Sequence, residues 1–158
     1  MADFSIADMQ ALRVTGLGRL LMNASRRYND RAIEMLRSAG HARLSAAHAM
    51  ILPHIDVEGT RLTDIASRAG VTKQSASEMV QDLERIGYVR RERDALDKRA
   101  VKVTFSALGH QFLKDAYAVH LQLERELSVL LLSEADMFKN NLRRWAQHAD
   151  GFAVGPDA

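Results

Sequence analysis

Residues 62–105 read LTDIASRAGVTKQSASEMVQDLERIGYVRRERDALDKRAVKVTF, and their spacing predicts a helix, a tight turn, a second helix and a basic β-hairpin. In the first helix, over Leu62 to Ala69, Thr63 is a candidate N-cap, Asp64 suits the positive end of the helix dipole, and Ile65, Ala66 and Ala69 recur at helical spacing. Gly70 is placed to stop that helix, since glycine tolerates the positive φ a short helix-helix turn requires, and Val71 can plug the angle between the helices. Thr72 offers a second N-cap. From Lys73 to Ile86 the apolar residues Ala76, Met79, Val80, Leu83 and Ile86 step by three and four, which defines one buried face, and Gly87 ends the helix.

The opposite face of the second helix holds small and hydrogen-bonding side chains. Thr72, Lys73, Gln74, Ser75, Ser77 and Gln81 are therefore candidate contacts to double-stranded DNA, because base edges in the major groove present donors and acceptors to an inserted helix. Gln can pair bidentately with adenine, and Lys can reach guanine. Glu78 lies among them, with an arginine-anchoring role favoured over a contact to cytosine. After Gly87, the alternating stretches Tyr88 to Arg93 and Ala100 to Phe105 flank a charged tip, Asp94 to Arg99, so the hairpin is a wing. Arg99 is placed to enter a narrow minor groove, where negative potential is enhanced, with Asp97 holding its guanidinium. Arg91, Arg93 and Lys98 are candidate phosphate contacts.

A helix-turn-helix followed by a tip of the form Arg93-Asp94-x-x-Asp97-x-Arg99 and then Val101-x-Val103-Thr104 resembles the MarR family of winged-helix regulators. The resemblance implies a dimeric DNA-binding repressor or activator under small-ligand control, with repression the family-weighted reading, and it gives Asp97 and Arg99 the roles just described. Two positions depart from the pattern. Ala95 stands where the family often has proline, and Glu78 where it often has a basic or hydroxyl residue, which leaves the operator sequence outside what the resemblance implies.

The expected fold class is mainly α with a small β wing: a winged helix-turn-helix domain flanked by long N- and C-terminal dimerisation helices. By size, residues 1–158 form a single domain, with 44–105 the DNA-binding lobe and 8–40 and 106–150 the dimerisation helices. In the first flank Leu12 to Leu36 keep helical spacing, interrupted by Gly16 and Gly18, which mark a bend, a break or a close approach of another helix. The cluster Arg26, Arg27 and Arg31 has Asp30 and Glu34 beside it and reads as a solvated face. Ser45 starts a helix that Pro53 must kink or end, and Arg61-Leu62 is a candidate third strand on the wing. Ser133-Glu134-Ala135-Asp136 resembles a capping box opening the last helix, which carries Phe138, Leu142 and Trp145 on one side. A homodimer is expected because one reading helix makes too few base contacts, whereas two related by a two-fold axis read a pseudo-palindrome.

With 47% hydrophobic and 27% charged residues the composition is globular. Net charge is only +2, but between Arg61 and Lys102 ten Lys or Arg face seven Asp or Glu, so the positive excess sits in the reading segment. The absence of cysteine removes disulfides and thiolate chemistry. With no signal-like N-terminus and no apolar run of about eighteen residues, no membrane association is expected and a cytoplasmic location is.

No phosphate loop, nucleophile elbow or paired metal motif supports an enzyme, and no cofactor or metal is implied. Effectors in the resembling family commonly sit between the dimer helices and the reading lobe, which makes Arg13, His41, His48 and Tyr117 candidates for lining such a pocket. Two rival readings are a winged helix used only for protein contact and a metal-responsive regulator that uses its histidines.

Overall fold

The computed structural model describes residues 5–94, 97 and 99–148. Its contacts divide the chain into two compact units, Met1–His120 and Leu121–Ala158. No shift in composition marks that boundary.

The first unit opens with α1 (Ile6–Thr15), which Ser5 caps by accepting from the Ala7 amide. α2 (Leu17–Ser38) follows after a break at Gly16, whose backbone is extended at φ −62° and ψ 140°. A Cβ at Gly16 would lie 2.4 Å from the Leu12 carbonyl oxygen, so glycine is what allows the two helices to meet there; at Gly18 a Cβ would meet open space. Of the three readings of this glycine pair, the break at Gly16 is the one observed.

α3 (Ala46–Ile51) starts where expected, at Ser45, and closes a capping box in an unforeseen way. The Ser45 hydroxyl accepts from the His48 amide, and His48 Nδ1 accepts from the Ser45 amide at 3.2 Å, a role usually filled by Glu or Gln. Pro53 ends the helix in a 3₁₀ turn, Leu52–His54. β1 (Thr60–Arg61) then runs straight into α4 (Leu62–Ala69). This corrects two expectations. The short strand lies one residue earlier than Arg61-Leu62, and the N-cap is Arg61 instead of Thr63, because residue 61 is still extended (φ −65°, ψ 141°) while Thr63 is already inside the helix.

Gly70 ends α4 in the left-handed conformation at φ 64°, ψ 30°. α5 (Lys73–Arg85), β2 (Val89–Arg93) and β3 (Val101–Phe105) follow in the predicted order. The sheet order is β1-β3-β2, antiparallel throughout, with Thr60 opposite Val103 and Val89 opposite Phe105. Leu44, Ile51, Ile65, Val80, Leu83, Val89 and Val103 are the largest fully buried side chains, so the core of this unit sits between α3, α4, α5 and the sheet. Just before α6 (Ala107–Leu131) stands Ser106, whose amide donates to the Tyr88 carbonyl oxygen at 3.0 Å and whose hydroxyl donates to the Gly87 carbonyl.

In the second unit a 3₁₀ turn, Leu132–Glu134, precedes α7 (Ala135–His148). Ser133 lies within that turn, so it is not the cap of a capping box. Leu132 takes a positive φ of 51°, rare for a branched residue. Glu124 pairs with Lys139, which raises the lysine's pKa. The run Leu130 to Leu132 is largely solvent-facing.

Candidate nucleic-acid interface

The turn between α4 and α5 sets the reading helix in place. The Val71 amide donates to the Ala66 carbonyl at 3.1 Å, and the Thr72 hydroxyl accepts from the Ser75 amide at 3.1 Å while donating to the Ser75 hydroxyl at 2.9 Å. Thr72 and Ser75 are thus partly committed to capping. Ala76, Val80 and Leu83 are fully buried, which anchors the inner face of α5. At 3.6 residues per turn the opposite face carries Gln74, Glu78 and Gln81, all exposed, with exposed Lys73 and half-buried Ser77 on its flanks. Glu78 does not hold an arginine. Its carboxylate accepts from Gln74 Nε2 at 3.1 Å, one helical turn away.

Two carboxylates tie α5 to its surroundings. Glu84 accepts from the Arg91 backbone amide at 3.0 Å and from Arg91 Nε at 2.7 Å, which links the helix to β2. Arg91, expected to face phosphate, is therefore engaged within the lobe. Asp82 receives Arg85 and His48, and those hydrogen bonds, the arginine's first, lower its pKa below the usual carboxylate value. A carboxylate can only accept, so His48 Nε2 carries the proton and Nδ1 is left to accept from Ser45.

The wing is braced by a residue that sequence reasoning left without a role. Asp94 is buried; it accepts from Arg61 Nε at 2.8 Å and from the Asp97 amide at 3.0 Å, while its own amide donates to the Ala100 carbonyl at 3.0 Å. Asp94 stands in the tip motif, which was a signal available for it. Arg61 is 33 positions away and carries no local signal. Asp97 holds Arg99, though not by the guanidinium: its carboxylate accepts from the Arg99 backbone amide at 3.0 Å. That short-range turn leaves the exposed Arg99 side chain directed by other forces. Arg90 and Arg93 on β2 are also exposed, and the structure adds Arg90 to the basic residues expected there. Lys98 lies outside the described residues.

A model described as the MarR family matches residues 44–100, nearly all of the lobe built from these elements. Over that lobe the chain is similar to the MarR family. A curated relative, an HTH-type transcriptional regulator named YkoM from Bacillus subtilis, is 24% identical over 94% of this chain and 96% of its own length. Among solved structures, a mutant MarR from E. coli complexed with operator DNA aligns with a TM-score of 0.70 at 20% identity, over 85% of this chain and 96% of that one. The transcriptional repressor CouR bound to a 23-mer DNA duplex aligns at 0.69 and 23%, over 94% and 99%. These likenesses establish the winged helix-turn-helix fold with long terminal helices.

The four residues expected to line an effector pocket are not brought together. Arg13 and Tyr117 are exposed, whereas His41 and His48 are buried in separate hydrogen-bonded groups. His41 Nδ1 meets the Tyr88 hydroxyl at 2.8 Å and Nε2 meets Asp115 at 3.0 Å. Burial raises the Tyr88 pKa; Asp115 is lowered, first by Gln111 and then by His41. Histidines so placed read at sequence level as pocket lining, because burial and long-range partners leave no local trace. A small apolar cavity of about 60 Å³ does exist, lined by Ile33, Leu36, Leu52, Pro53, Phe112 and Ala116 among others, but by none of the four. At its edge the Tyr28 hydroxyl hydrogen-bonds His120 Nδ1 at 2.7 Å.

Proposed function

We propose that this protein is a member of the MarR family, a regulator and not an enzyme, that binds a pseudo-palindromic operator as a cytoplasmic homodimer and acts as a ligand-responsive repressor. The observation that carries the proposal is the polar outer face of α5 beside a basic wing: Lys73, Gln74 and Gln81 face solvent, with half-buried Ser77 between them, from a helix whose inner side is locked into the core. Arg93 and Arg99 are exposed on the wing, with Lys98 in the same tip by sequence. Thr72 and Ser75 at the helix start, Arg91 beside Glu84 and Asp97 beneath Arg99 complete the proposed interface as residues that shape it.

Support for a homodimer comes from apolar side chains that stand exposed among the described residues. On α1 and the start of α2, Ile6, Leu12, Val14 and Leu17 are each 68% or more exposed, and in the second unit Val129, Leu130, Leu132 and Trp145 are each 53% or more exposed. Dimerisation by residues 8–40 and 106–150 would bury all of these but Ile6, which lies just before the first range, and space two reading heads. A ligand that binds one spacing better then shifts DNA affinity, by no more than its preference between the two states.

The metal-responsive alternative has less behind it: among the described residues no group of three or more His, Asp or Glu could hold an ion. Fluorescence anisotropy with labelled duplex from the region upstream of the protein's own gene tests the proposal. Saturable binding whose log affinity falls linearly with log salt is expected. Absence of binding at low salt would favour a winged helix used for protein contact.

A further inference from the structure

The Gln74 to Glu78 hydrogen bond sits on the outermost face of α5, where a groove-inserted helix meets base edges. Both side chains are exposed, so burial does not force this pairing. A glutamine amide has two N–H donors and one carbonyl oxygen, and an ionised glutamate can only accept. Glu78 therefore takes one N–H of Gln74 and fixes which way the amide faces, since the reversed amide would set its carbonyl oxygen against the carboxylate. The other N–H and the carbonyl oxygen stay available. That donor-acceptor pair matches the major-groove edge of adenine, where N7 accepts and the N6 amine donates.

We propose that Gln74 reads one adenine in each half-site and that Glu78 is its positioning residue, holding the amide in the reading orientation. The inference rests on the DNA-binding reading above and deepens it by naming a base and the side chain that selects it. It also gives Glu78 a second consequence. A carboxylate at a surface that approaches phosphates weakens binding to every sequence, so Glu78 lowers affinity while raising discrimination.

The test begins by selecting duplexes from a random-sequence library with the full-length wild-type protein. Anisotropy titrations then compare the selected duplex with versions in which each adenine in turn is replaced by 7-deazaadenine, which lacks the N7 acceptor. At one adenine per half-site the replacement should weaken wild-type binding roughly 5- to 100-fold and leave Gln74→Ala unaffected. Glu78→Gln retains an amide oxygen that accepts from Gln74, so it should keep the discrimination and bind every duplex more tightly. Glu78→Ala should also bind more tightly, yet lose most of the discrimination. Circular dichroism of each variant checks that α5 remains folded. Indifference of the wild type to every 7-deazaadenine, or full discrimination in Glu78→Ala, would overturn the proposal. A change of preference at a cytosine in Glu78→Ala, with adenine readout intact, would show that Glu78 reads a base itself and would overturn it too. Failure to bind any duplex at low salt is a different result, since it rejects the DNA-binding reading on which this inference stands.

Discussion

Two helices of the first unit invite comparison, α5 and α1. α5 buries Ala76, Val80 and Leu83 completely, and its polar residues reach outward to α3 through Asp82 and to β2 through Glu84. α1 buries no residue at all, and Ile6, Met9, Leu12 and Val14 are each at least 45% exposed. Their patterning already differs: α5 gathers its few apolar residues on one face of a mostly polar helix, whereas α1 spreads apolar residues around its circumference. The difference is completeness: the reading lobe closes its own core within one chain, while α1 presents apolar surface that only another surface can cover.

The sharpest way to break this contrast is a matched pair of truncations. Leu83→Ala should cost roughly 2–5 kcal/mol, read as a lower denaturant midpoint, because the side chain is fully buried and leaves a cavity. Leu12→Ala should change the stability of the lobe by no more than about 0.5 kcal/mol. Equal losses would mean that α1 belongs to the same core. The next largest effect is expected in assembly. Placing charge on α1 with the double change Leu12→Asp and Val14→Asp should leave circular dichroism intact but shift the protein toward monomer in analytical ultracentrifugation, and an unchanged mass would remove α1 from the interface.

Within the wing a smaller contrast separates two arginines. Arg99→Ala should weaken DNA binding and lower the salt slope by about 0.9 if it neutralises one phosphate. Arg91→Ala should change the slope less, because Glu84 already holds that guanidinium. Slopes that fall equally would place Arg91 on the DNA. The smallest effect concerns acid. The hydrogen bonds of Arg85 and His48 lower the folded-state pKa of Asp82, so its contribution to stability is complete above the ordinary carboxylate value of 3.8 and is lost as pH falls below that value through the lowered one. Asp82→Asn should flatten that part of a stability-against-pH curve, and an identical acid limb in both proteins would show that the pair contributes nothing.

What the sequence made legible was local. Thr72 and Ser45 announce helix starts and Gly70 a helix end within a few positions of the backbone groups they satisfy, and the alternation around residues 89–93 and 101–105 marks the wing. The misreadings share a cause, which is competition from partners that only the fold supplies. Thr63 lost the cap because β1 delivers an extended residue directly before Leu62, and Asp97 turned to a main-chain amide two positions away. The brace from Arg61 to Asp94 spans 33 positions and the link from His41 to Asp115 spans 74, distances over which no periodicity carries information. Among candidate site residues, Gln74 and Gln81 lie on the outer face of α5 with Lys73 and Ser77 on its flanks, while Arg13, His41, His48 and Tyr117 are scattered, since a pocket is defined by what surrounds it and not by residue type.

On the proposed reading, a self-sufficient lobe is paired through incomplete outer helices so that two copies read one site. Sedimentation of the protein with a selected duplex tests it most directly, comparing the full pseudo-palindrome with a duplex carrying a single half-site. The expected result is two chains on each full site and much weaker binding to the half-site duplex. One chain per full site, with a half-site bound equally well, would contradict the account.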